Sequence, residues 1–368
     1  MKILYAAAEV LPDHDGVSSA LLTLLRNGGK DFSADLWSFS GGGRYGVADD
    51  RLTAFGFSRN WKKRADALRK EDCDLIFIHG LWQYFALSAA KTARRLQIPY
   101  LVAPHGMLYP EALQIGAWKK RLCRKFGFDS LLQNASAVVV SCEREAEVYR
   151  ALGFRNPVAV IPNGIEIPEV PKVVKTQKIV FLGRLVPYKN VLFLLQAWRD
   201  MADAPAELVI AGSGDCDYER ELKDFVRQNH LANVSFAGEV KGGEKTALLA
   251  SAKALVLPSA FESFGLVALE SLACGTPVIA SLNTPWNDLT TYRCGWHVPP
   301  EKFPDAMHRA LAQNPEELAG RRKNALALVR EKYTADKTKQ SLSALCRWIA
   351  GKGERPSFVR LFAENQSL

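Results

Sequence analysis

The stretch that decides the fold runs from Pro258 to Ala280 and reads PSAFESFGLVALESLACGTPVIA. The apolar run Ala254 to Leu257 predicts a strand before it, and the helical spacing of the leucines predicts a helix from about Phe264. A Gly-Thr-Pro turn ends that helix, and a second strand begins at Val278. The stretch is therefore predicted to be a strand–helix–strand unit of an α/β sheet.

Two glutamates lie on either side of the predicted start of this helix. Glu262 lies in the loop before it, and Glu270 lies about two turns into it. Between them, the N–H groups near Phe264 to Leu266 form a helix N-terminus, which attracts an anion. Acceptors for hydroxyls beside an anion site suit the sugar, diphosphate and ribose of a nucleotide sugar. The alternative is an ordinary loop acid and a solvated helix face, because two glutamates eight residues apart carry little weight alone.

The composite of strand, Glu-x7-Glu, Ser-Phe-Gly-Leu and Gly-Thr-Pro-Val-Ile-Ala resembles the signature of the family 4 retaining glycosyltransferases. The resemblance covers nearly the full chain and is strongest between 178 and 298. It implies the α/β GT-B fold, in which two Rossmann-like doubly wound domains face each other across a cleft. The implied boundaries are 1–165 for the N-terminal acceptor-side domain, 166–334 for the C-terminal nucleotide-sugar-binding domain, and 335–368 for a C-terminal helix that returns to the N-terminal domain.

Composition sets broad limits on partners and location. The chain has 368 residues, enough for two domains, and its 48% hydrophobic content argues against extensive disorder. The net charge of +9 is spread over both halves, which fits nucleoside diphosphates, anionic lipids or nucleic acid. No nucleic-acid-binding module motif is present, so we expect no nucleic-acid partner.

The cysteines and the lack of long apolar stretches predict a cytoplasmic protein. Seven scattered cysteines without Cys-x2-Cys spacing indicate reduced thiols, neither a disulfide framework nor a zinc site. The apolar run at the start is too short for a signal peptide, and no stretch of 18 uncharged apolar residues predicts a transmembrane helix. The inner face of the cytoplasmic membrane is the candidate site for peripheral attachment.

Two histidines of the N-terminal half lie at predicted strand ends. Strands are predicted at 3–8, 34–40, 74–82, 99–103 and 137–141, with helices between several of them, and ligands of such sheets bind at the C-terminal strand ends. His79 and His105 lie at two of these ends. The resemblance implies that His105 lies beside the sugar of the donor and the reacting centre. The alternative for His105 is a packed or capping histidine.

The loop after the first strand departs from the family pattern. A strand, a glycine-containing loop and a helix can present N–H groups to phosphate. Family members usually carry two adjacent glycines here, whereas this chain has Asp15 and Gly16. Gly16 is assigned to the phosphates of the donor and Asp15 to acceptor hydroxyls, with a plain turn as the alternative.

A pair of cations follows the first predicted strand of the C-terminal half. Arg184 and Lys189 lie five residues apart after Phe-Leu-Gly, a spacing that suits two faces of a diphosphate, with a surface pair as the alternative. The resemblance places both on the pyrophosphate, where they would stabilise the leaving group.

The resemblance also implies the remaining site residues. Glu262 would bind sugar hydroxyls, Glu270 ribose hydroxyls, and the chain near Val240 the base. The implied catalytic residues are His105, Arg184, Lys189 and Glu262. The implied donor-binding residues are Gly16, Arg184, Lys189, Val240, Glu262, Ser263, Phe264, Gly265, Leu266 and Glu270. The acceptor-side residues are Asp15, His79 and Asn163.

Neither a metal nor a cofactor is expected. Gly212-x-Gly214 suggests dinucleotide binding, but Asp217 stands where the third glycine of that fingerprint belongs. Asp215-x-Asp217 is predicted to be a pair of helix-capping acids rather than a metal site. The nucleotide sugar is a substrate.

The segment 114–128 carries five basic residues and no acidic one. Trp118, Leu122 and Phe126 recur every four residues, which predicts a basic amphipathic helix able to lie on an anionic membrane surface. The alternative is a helix docked on the sheet by the same apolar stripe.

The chain is thus predicted to be a retaining, metal-independent glycosyltransferase of the hexosyltransferase type. Segments 79–82, 104–108, 284–288 and 294–298 resemble a branch that builds bacterial surface polysaccharide, whether lipopolysaccharide, capsule or exopolysaccharide. The donor would be a UDP- or GDP-sugar and the acceptor a glycan or a lipid-linked glycan. The alternatives are a nucleotide-sugar epimerase or hydrolase of the same fold and a non-catalytic carbohydrate-binding protein. The sequence leaves the base, sugar, acceptor and oligomeric state open.

Overall fold

A computed structural model of the chain describes residues 1–8, 16–25, 33–38, 52–54, 58–171, 173–201 and 205–362. The chain divides into two compact units, hereafter unit 1 (Met1–Gly164 with Ala335–Leu368) and unit 2 (Ile165–Thr334). The loop predicted to hold Asp15 lies outside the described residues. Within the ranges given, none of the helices combines the length and the apolar character that a membrane span requires.

Unit 1 is built on an eight-stranded sheet. Its strands are β1 Lys2–Ala7, β2 Ser33–Ser38, β3 Leu52–Ala54, β4 Leu75–His79, β5 Tyr100–Ala103, β6 Ala137–Val140, β7 Val158–Val160 and β14 Val359–Arg360. Its helices are α1 Gly16–Leu25, α2 Ser58–Ala67, α3 Tyr84–Leu96, α4 Pro110–Gln114, α5 Ala117–Cys123, α6 Asp129–Gln133, α7 Glu143–Ala151 and α15 Ala335–Ile349. The strand order is β14-β7-β6-β5-β4-β1-β2-β3, and every pairing is parallel except that of β14 with β7.

Both faces of this sheet are covered. The central strands β4, β5 and β6 are buried at every position, as expected of parallel strands between two helical layers. Phe85 and Ala89 of α3 pack on one face. Leu342 and Leu345 of α15 pack on the other, together with Leu21 of α1. The final helix is therefore part of the core of unit 1.

Unit 2 is built on a six-stranded sheet. Its strands are β8 Lys178–Leu182, β9 Glu207–Ala211, β10 Val234–Gly238, β11 Ala254–Leu257, β12 Val278–Ser281 and β13 Gly295–Val298. Its helices are α8 Val191–Arg199, α9 Cys216–Gln228, α10 Gly242–Ser251, α11 Leu266–Ala273, α12 Asp288–Thr291, α13 Phe303–Ala312 and α14 Pro315–Lys332. All pairings are parallel, in the order β10-β9-β8-β11-β12-β13.

Each sheet reverses its strand order once. In unit 2 the reversal lies between β8 and β11, and in unit 1 it lies between β1 and β4. At such a point the connections leave in opposite directions, so a crevice opens at the C-terminal ends of the two strands, where ligands of doubly wound sheets bind. The loops that follow β8, β11 and β4 are therefore the ones positioned to carry a site.

The prediction of one continuous helix over 114–128 is wrong. α4 ends at Gln114, and Gly116 has a left-handed φ of +65° before α5 begins. The following segment Arg124–Phe128 is kinked at Phe126 and at Gly127, whose φ is +124°. The two glycines break the segment because they readily take backbone conformations that helices exclude.

Two local predictions about helix starts have different outcomes. α11 begins at Leu266 rather than at Phe264, because Gly265 takes a left-handed φ of +79° just before it. The capping prediction is confirmed for Asp215, whose carboxylate accepts from the N–H groups of Asp217 and Tyr218 at the start of α9.

Candidate active site

The switch point of unit 2 brings together the loops that follow β8 and β11. Lys189 forms an ion pair with Glu262, and both side chains are 12% exposed. Ser259 Oγ donates to Glu262 Oε2 over 3.2 Å. The N–H of Ala260 donates to the carbonyl of Tyr188 over 2.9 Å. The two loops are thus joined by a backbone hydrogen bond and by an ion pair.

Arg184 lies at the exposed edge of the same group. Its guanidinium donates to the hydroxyl of Tyr188. The Tyr188 ring stacks on Phe261 with ring centroids 4.8 Å apart. Arg184, Lys189 and Glu262 therefore belong to one connected network, in which Arg184 retains a solvent-facing surface.

The start of α11 is held rigidly from behind. Trp286 is fully buried, and its Nε1 donates to the carbonyl of Phe264 over 2.7 Å. A Cβ on Gly265 would lie 3.1 Å from Glu262 Cγ and 3.2 Å from Trp286 Nε1. Glycine is needed here for both its left-handed φ and this close packing. The first N–H groups of α11, which begin at Leu266, lack carbonyl partners within the helix and provide the positive end of its dipole.

Glu270 lies farther along α11 and is also paired. Its Oε1 lies 2.8 Å from Nζ of Lys245 on α10, and the two side chains are 22% and 20% exposed. Val240, two residues beyond β10, is half-buried, and its neighbour Glu239 accepts from Ser213 Oγ over 2.6 Å. In unit 2 the predicted sugar-donor residues thus lie on the loops after β8, β10 and β11 and on α11.

Three of the predicted residues of unit 1, His79, His105 and Asn163, line one cavity. Nδ1 of His79 lies 3.0 Å from Nε2 of His105, and their rings stack with centroids 5.2 Å apart. Burial, and to a lesser extent the neighbouring His105, hold the pKa of His79 well below its usual value, so His79 is neutral at pH 7. Asn163 lines the same cavity as both histidines. Gly16 is the exposed first residue of α1.

Several residues that sequence reasoning missed support these groups. Tyr188 accepts from Arg184, and Trp286 donates to the carbonyl of Phe264. Lys245 forms the ion pair with Glu270. In unit 1, Glu145 is a buried carboxylate that lines the histidine cavity. A sequence signal for Glu145 was its position in α7, where a charged residue stands on the face of the helix that packs against the core.

Comparison with known proteins settles the family. A model of the group 1 glycosyl transferases matches residues 176–314, and a glycosyl transferase 4-like domain matches residues 35–164. The chain belongs to the group 1 glycosyltransferases. The family predicted from the sequence is therefore confirmed.

Individual relatives agree with this membership. A glycosyltransferase of Methanocaldococcus jannaschii is 43% identical over 249 residues, which are 62% of this chain and 62% of that protein. A D-rhamnosyltransferase of Pseudomonas aeruginosa is 27% identical over 78% of this chain and 76% of its own length. The chain thus spans less than two thirds of the first relative that it matches.

Solved structures confirm the GT-B fold of this group 1 glycosyltransferase. A protein of Anabaena in complex with UDP superposes with a TM-score of 0.74 at 18% identity, covering 93% of this chain and 98% of that one. WaaG, a glycosyltransferase involved in lipopolysaccharide biosynthesis, gives a TM-score of 0.70 at 15% identity, over 95% of this chain and 100% of its own.

Group 1 glycosyltransferases of this fold are metal-independent. The described part of the chain contains no group of three or more His, Cys, Asp or Glu side chains able to hold a metal ion. The acids of the Asp215-x-Asp217 pattern are instead engaged locally, Asp215 as the cap of α9 and Asp217 in an ion pair with Arg220.

The Lys189–Glu262 pair should contribute measurably to the stability of unit 2. Both groups are largely shielded from water, so removing one partner leaves the other charge without compensation. We expect a double-mutant cycle of Lys189→Met and Glu262→Gln, measured by urea unfolding, to give a coupling free energy of about 1–3 kcal/mol.

The matched control is the exposed pair of Arg220 and Asp217, whose side chains are 69% and 88% exposed. Its cycle, with Arg220→Met and Asp217→Asn, should give a coupling below about 1 kcal/mol because solvent screens the charges. Equal coupling in the two cycles would contradict the shielding of the Lys189–Glu262 pair.

Proposed function

We propose that this chain transfers a sugar from a nucleoside-diphosphate sugar to a glycan or lipid-linked acceptor. The observation that carries the proposal is the arrangement of two cations and two carboxylates around the start of α11, at the switch point of unit 2. Arg184 and Lys189 suit a diphosphate, whereas Glu262 and Glu270 suit the hydroxyl groups on its two sides. This order of groups matches sugar, diphosphate and ribose.

Each residue then has a role. Arg184 and Lys189, with the N–H groups that begin at Leu266, offset the charge that grows on the pyrophosphate as it leaves. Glu262 accepts from sugar hydroxyls and Glu270 from ribose hydroxyls. Ser263 to Gly265 shape the backbone around the phosphates, and the chain near Val240 meets the base. Gly16 contributes phosphate contacts from unit 1.

We infer that the transfer retains the configuration at the anomeric carbon. The acceptor oxygen bonds to that carbon on the face from which the diphosphate leaves, and the bond from carbon to phosphate oxygen breaks. The acceptor's hydroxyl proton passes to the departing phosphate oxygen. This route follows from the roles proposed above, in which Glu262 and Glu270 pair with lysines and bind hydroxyl groups of the donor, so neither is assigned as a nucleophile. His105 supports the reacting sugar, and Asp15, His79 and Asn163 bind the acceptor.

The biological role that we propose is the synthesis of bacterial surface polysaccharide, such as lipopolysaccharide, capsule or exopolysaccharide, on the cytoplasmic side of the membrane. The sequence motifs around His79 and His105 support it. The similarity to a D-rhamnosyltransferase supports the transfer of a sugar. A hexosyl group is the expected cargo. UDP-sugars come first among the donors to test, because the Anabaena protein of the same fold was solved with UDP.

A thermal-shift panel of UDP-, GDP- and ADP-sugars tests the donor site. One class should raise the melting temperature of the wild type, since a ligand at one hundred times its Kd adds about 2.7 kcal/mol to the free energy of unfolding. Arg184→Ala should lose most of this shift. The control Arg199→Ala, on the solvent side of α8 beside Asp200, should keep it.

The other functional classes predict different results. Release of free nucleotide from the stabilising sugar without any acceptor would favour an epimerase or a hydrolase. Carbohydrate binding that survives Glu262→Ala would favour a non-catalytic protein. Stabilisation by none of the nucleotide sugars would contradict the proposal.

We also propose that the segment 114–128 of unit 1 binds an anionic membrane surface. Three of its apolar side chains are exposed rather than docked on the sheet: Trp118 is 68% exposed, Leu122 50% and Phe126 74%. The exposed basic residues Lys119, Arg121 and Lys125 lie among them. Exposed apolar side chains interspersed with basic residues fit the interface of an anionic bilayer, where the apolar groups meet the acyl chains and the cations meet the headgroups.

Vesicle sedimentation tests this surface. The protein should bind vesicles that contain phosphatidylglycerol more strongly than vesicles of phosphatidylcholine alone, and salt should weaken the binding. Trp118→Ser combined with Phe126→Ser should reduce binding roughly tenfold or more, because each side chain contributes about 1.5–3 kcal/mol when buried.

Val174→Ser provides the control, since Val174 is 84% exposed and lies in unit 2. It should bind like the wild type. Equal binding to both kinds of vesicle, or an equal loss in the control, would contradict the membrane proposal.

A further inference from the structure

Glu145 is a buried carboxylate of unit 1 that the proposed roles do not use. It lies in the first turn of α7 and is 2% exposed. Among the described residues it has no basic partner within ion-pair distance. A charge in such a place is expensive unless hydrogen bonds compensate it, so its partners indicate why it is there.

Three hydrogen-bond donors surround this carboxylate. Its Oε1 accepts from the N–H of Gly106 over 2.5 Å. Its Oε2 accepts from the N–H of Ser141 over 2.9 Å and from Ser141 Oγ over 3.0 Å. Burial raises the pKa of Glu145, and these hydrogen bonds oppose that rise. The carboxylate therefore ties the turn after β5 to the end of β6.

The turn that it holds is the one that carries His105. His105 has a left-handed φ of +52°, and Gly106 follows with +76°. A non-glycine residue in this region persists only where its surroundings hold it. Among the contacts that hold it, Glu145 fixes the N–H of Gly106, and Nδ1 of His79 lies 3.0 Å from Nε2 of His105. His79, His105, Ser141 and Glu145 all line one cavity.

We propose that Glu145 is a positioning residue, which fixes the His105–Gly106 turn and thereby the orientation of the His105 imidazole for sugar transfer. The expected effect on sugar transfer rests on the proposed function. The structural part of the inference, the bond between the Glu145 carboxylate and the Gly106 N–H, stands independently of any activity.

The sequence allows that bond to be observed directly. His79–Gly80 and His105–Gly106 are the two His-Gly pairs of the chain. Labelling histidine carbonyl carbons with 13C and glycine amides with 15N therefore selects two amide resonances, Gly80 and Gly106. Gly80 donates to the carbonyl of Ala103 over 2.9 Å and serves as an internal control. In the wild type the Gly106 proton should resonate downfield of the Gly80 proton, because its acceptor is charged and closer.

Glu145→Gln is the test variant, and Glu147→Gln, on the exposed face of α7, is its control. In Glu145→Gln the Gly106 resonance should move upfield while Gly80 stays in place. kcat for sugar transfer should fall roughly tenfold to a hundredfold, as a small misplacement of a reacting group does, with the affinity for the nucleotide unchanged. Glu147→Gln should change neither resonance and leave kcat intact.

Two results would overturn the inference: an unmoved Gly106 resonance in Glu145→Gln, or a shifted resonance with wild-type kcat. If Glu145→Gln does not fold, the wild-type spectrum decides, and a Gly106 proton upfield of Gly80 overturns the bond. If the wild type transfers sugar from no donor, the proposed function is overturned instead. The Gly106 resonance then still supports or overturns the bond between the Glu145 carboxylate and the Gly106 N–H.

Discussion

The ion pair of Lys189 with Glu262 is the interaction on which the candidate donor site depends. It joins the loops after β8 and β11 at the one place in the unit 2 sheet where the strand order reverses. The pair is largely shielded, so the two loops are held in register before any ligand arrives. Trp286 supports the same loop from the core through its bond to the Phe264 carbonyl. A site fixed in this way pays little conformational entropy when it binds a ligand.

A comparable arrangement supports His105 in unit 1. Glu145 holds the backbone after His105, and His79 meets its ring. In both units an acidic side chain connects the loops that follow two neighbouring strands, yet the partners differ. Glu262 meets a lysine, which a phosphate group also attracts. Within the described part of the chain, Glu145 meets N–H and O–H groups and no cation, so it is better suited to holding structure.

The fold was readable from the sequence because its signals are local. Apolar runs predicted the buried parallel strands, and the spacing of Leu266, Leu269 and Leu272 predicted α11 to within two residues. The break of 114–128 was harder to predict, because an apolar period of four residues outweighed the two glycines that end the helix. Glu145, Tyr188 and Lys245 were missed for another reason: each contacts a residue 25 or more positions away in the chain, which only the folded sheet brings close.

Hydrogen–deuterium exchange with and without the stabilising nucleotide sugar is the most direct measurement of the central claim, that the switch point of unit 2 is the sugar-donor site. Added nucleotide should slow exchange in peptides spanning 184–190 and 262–270 and leave peptides of the opposite sheet end, such as 205–208, unchanged. Protection confined to other segments, or none at saturating nucleotide, would contradict the account.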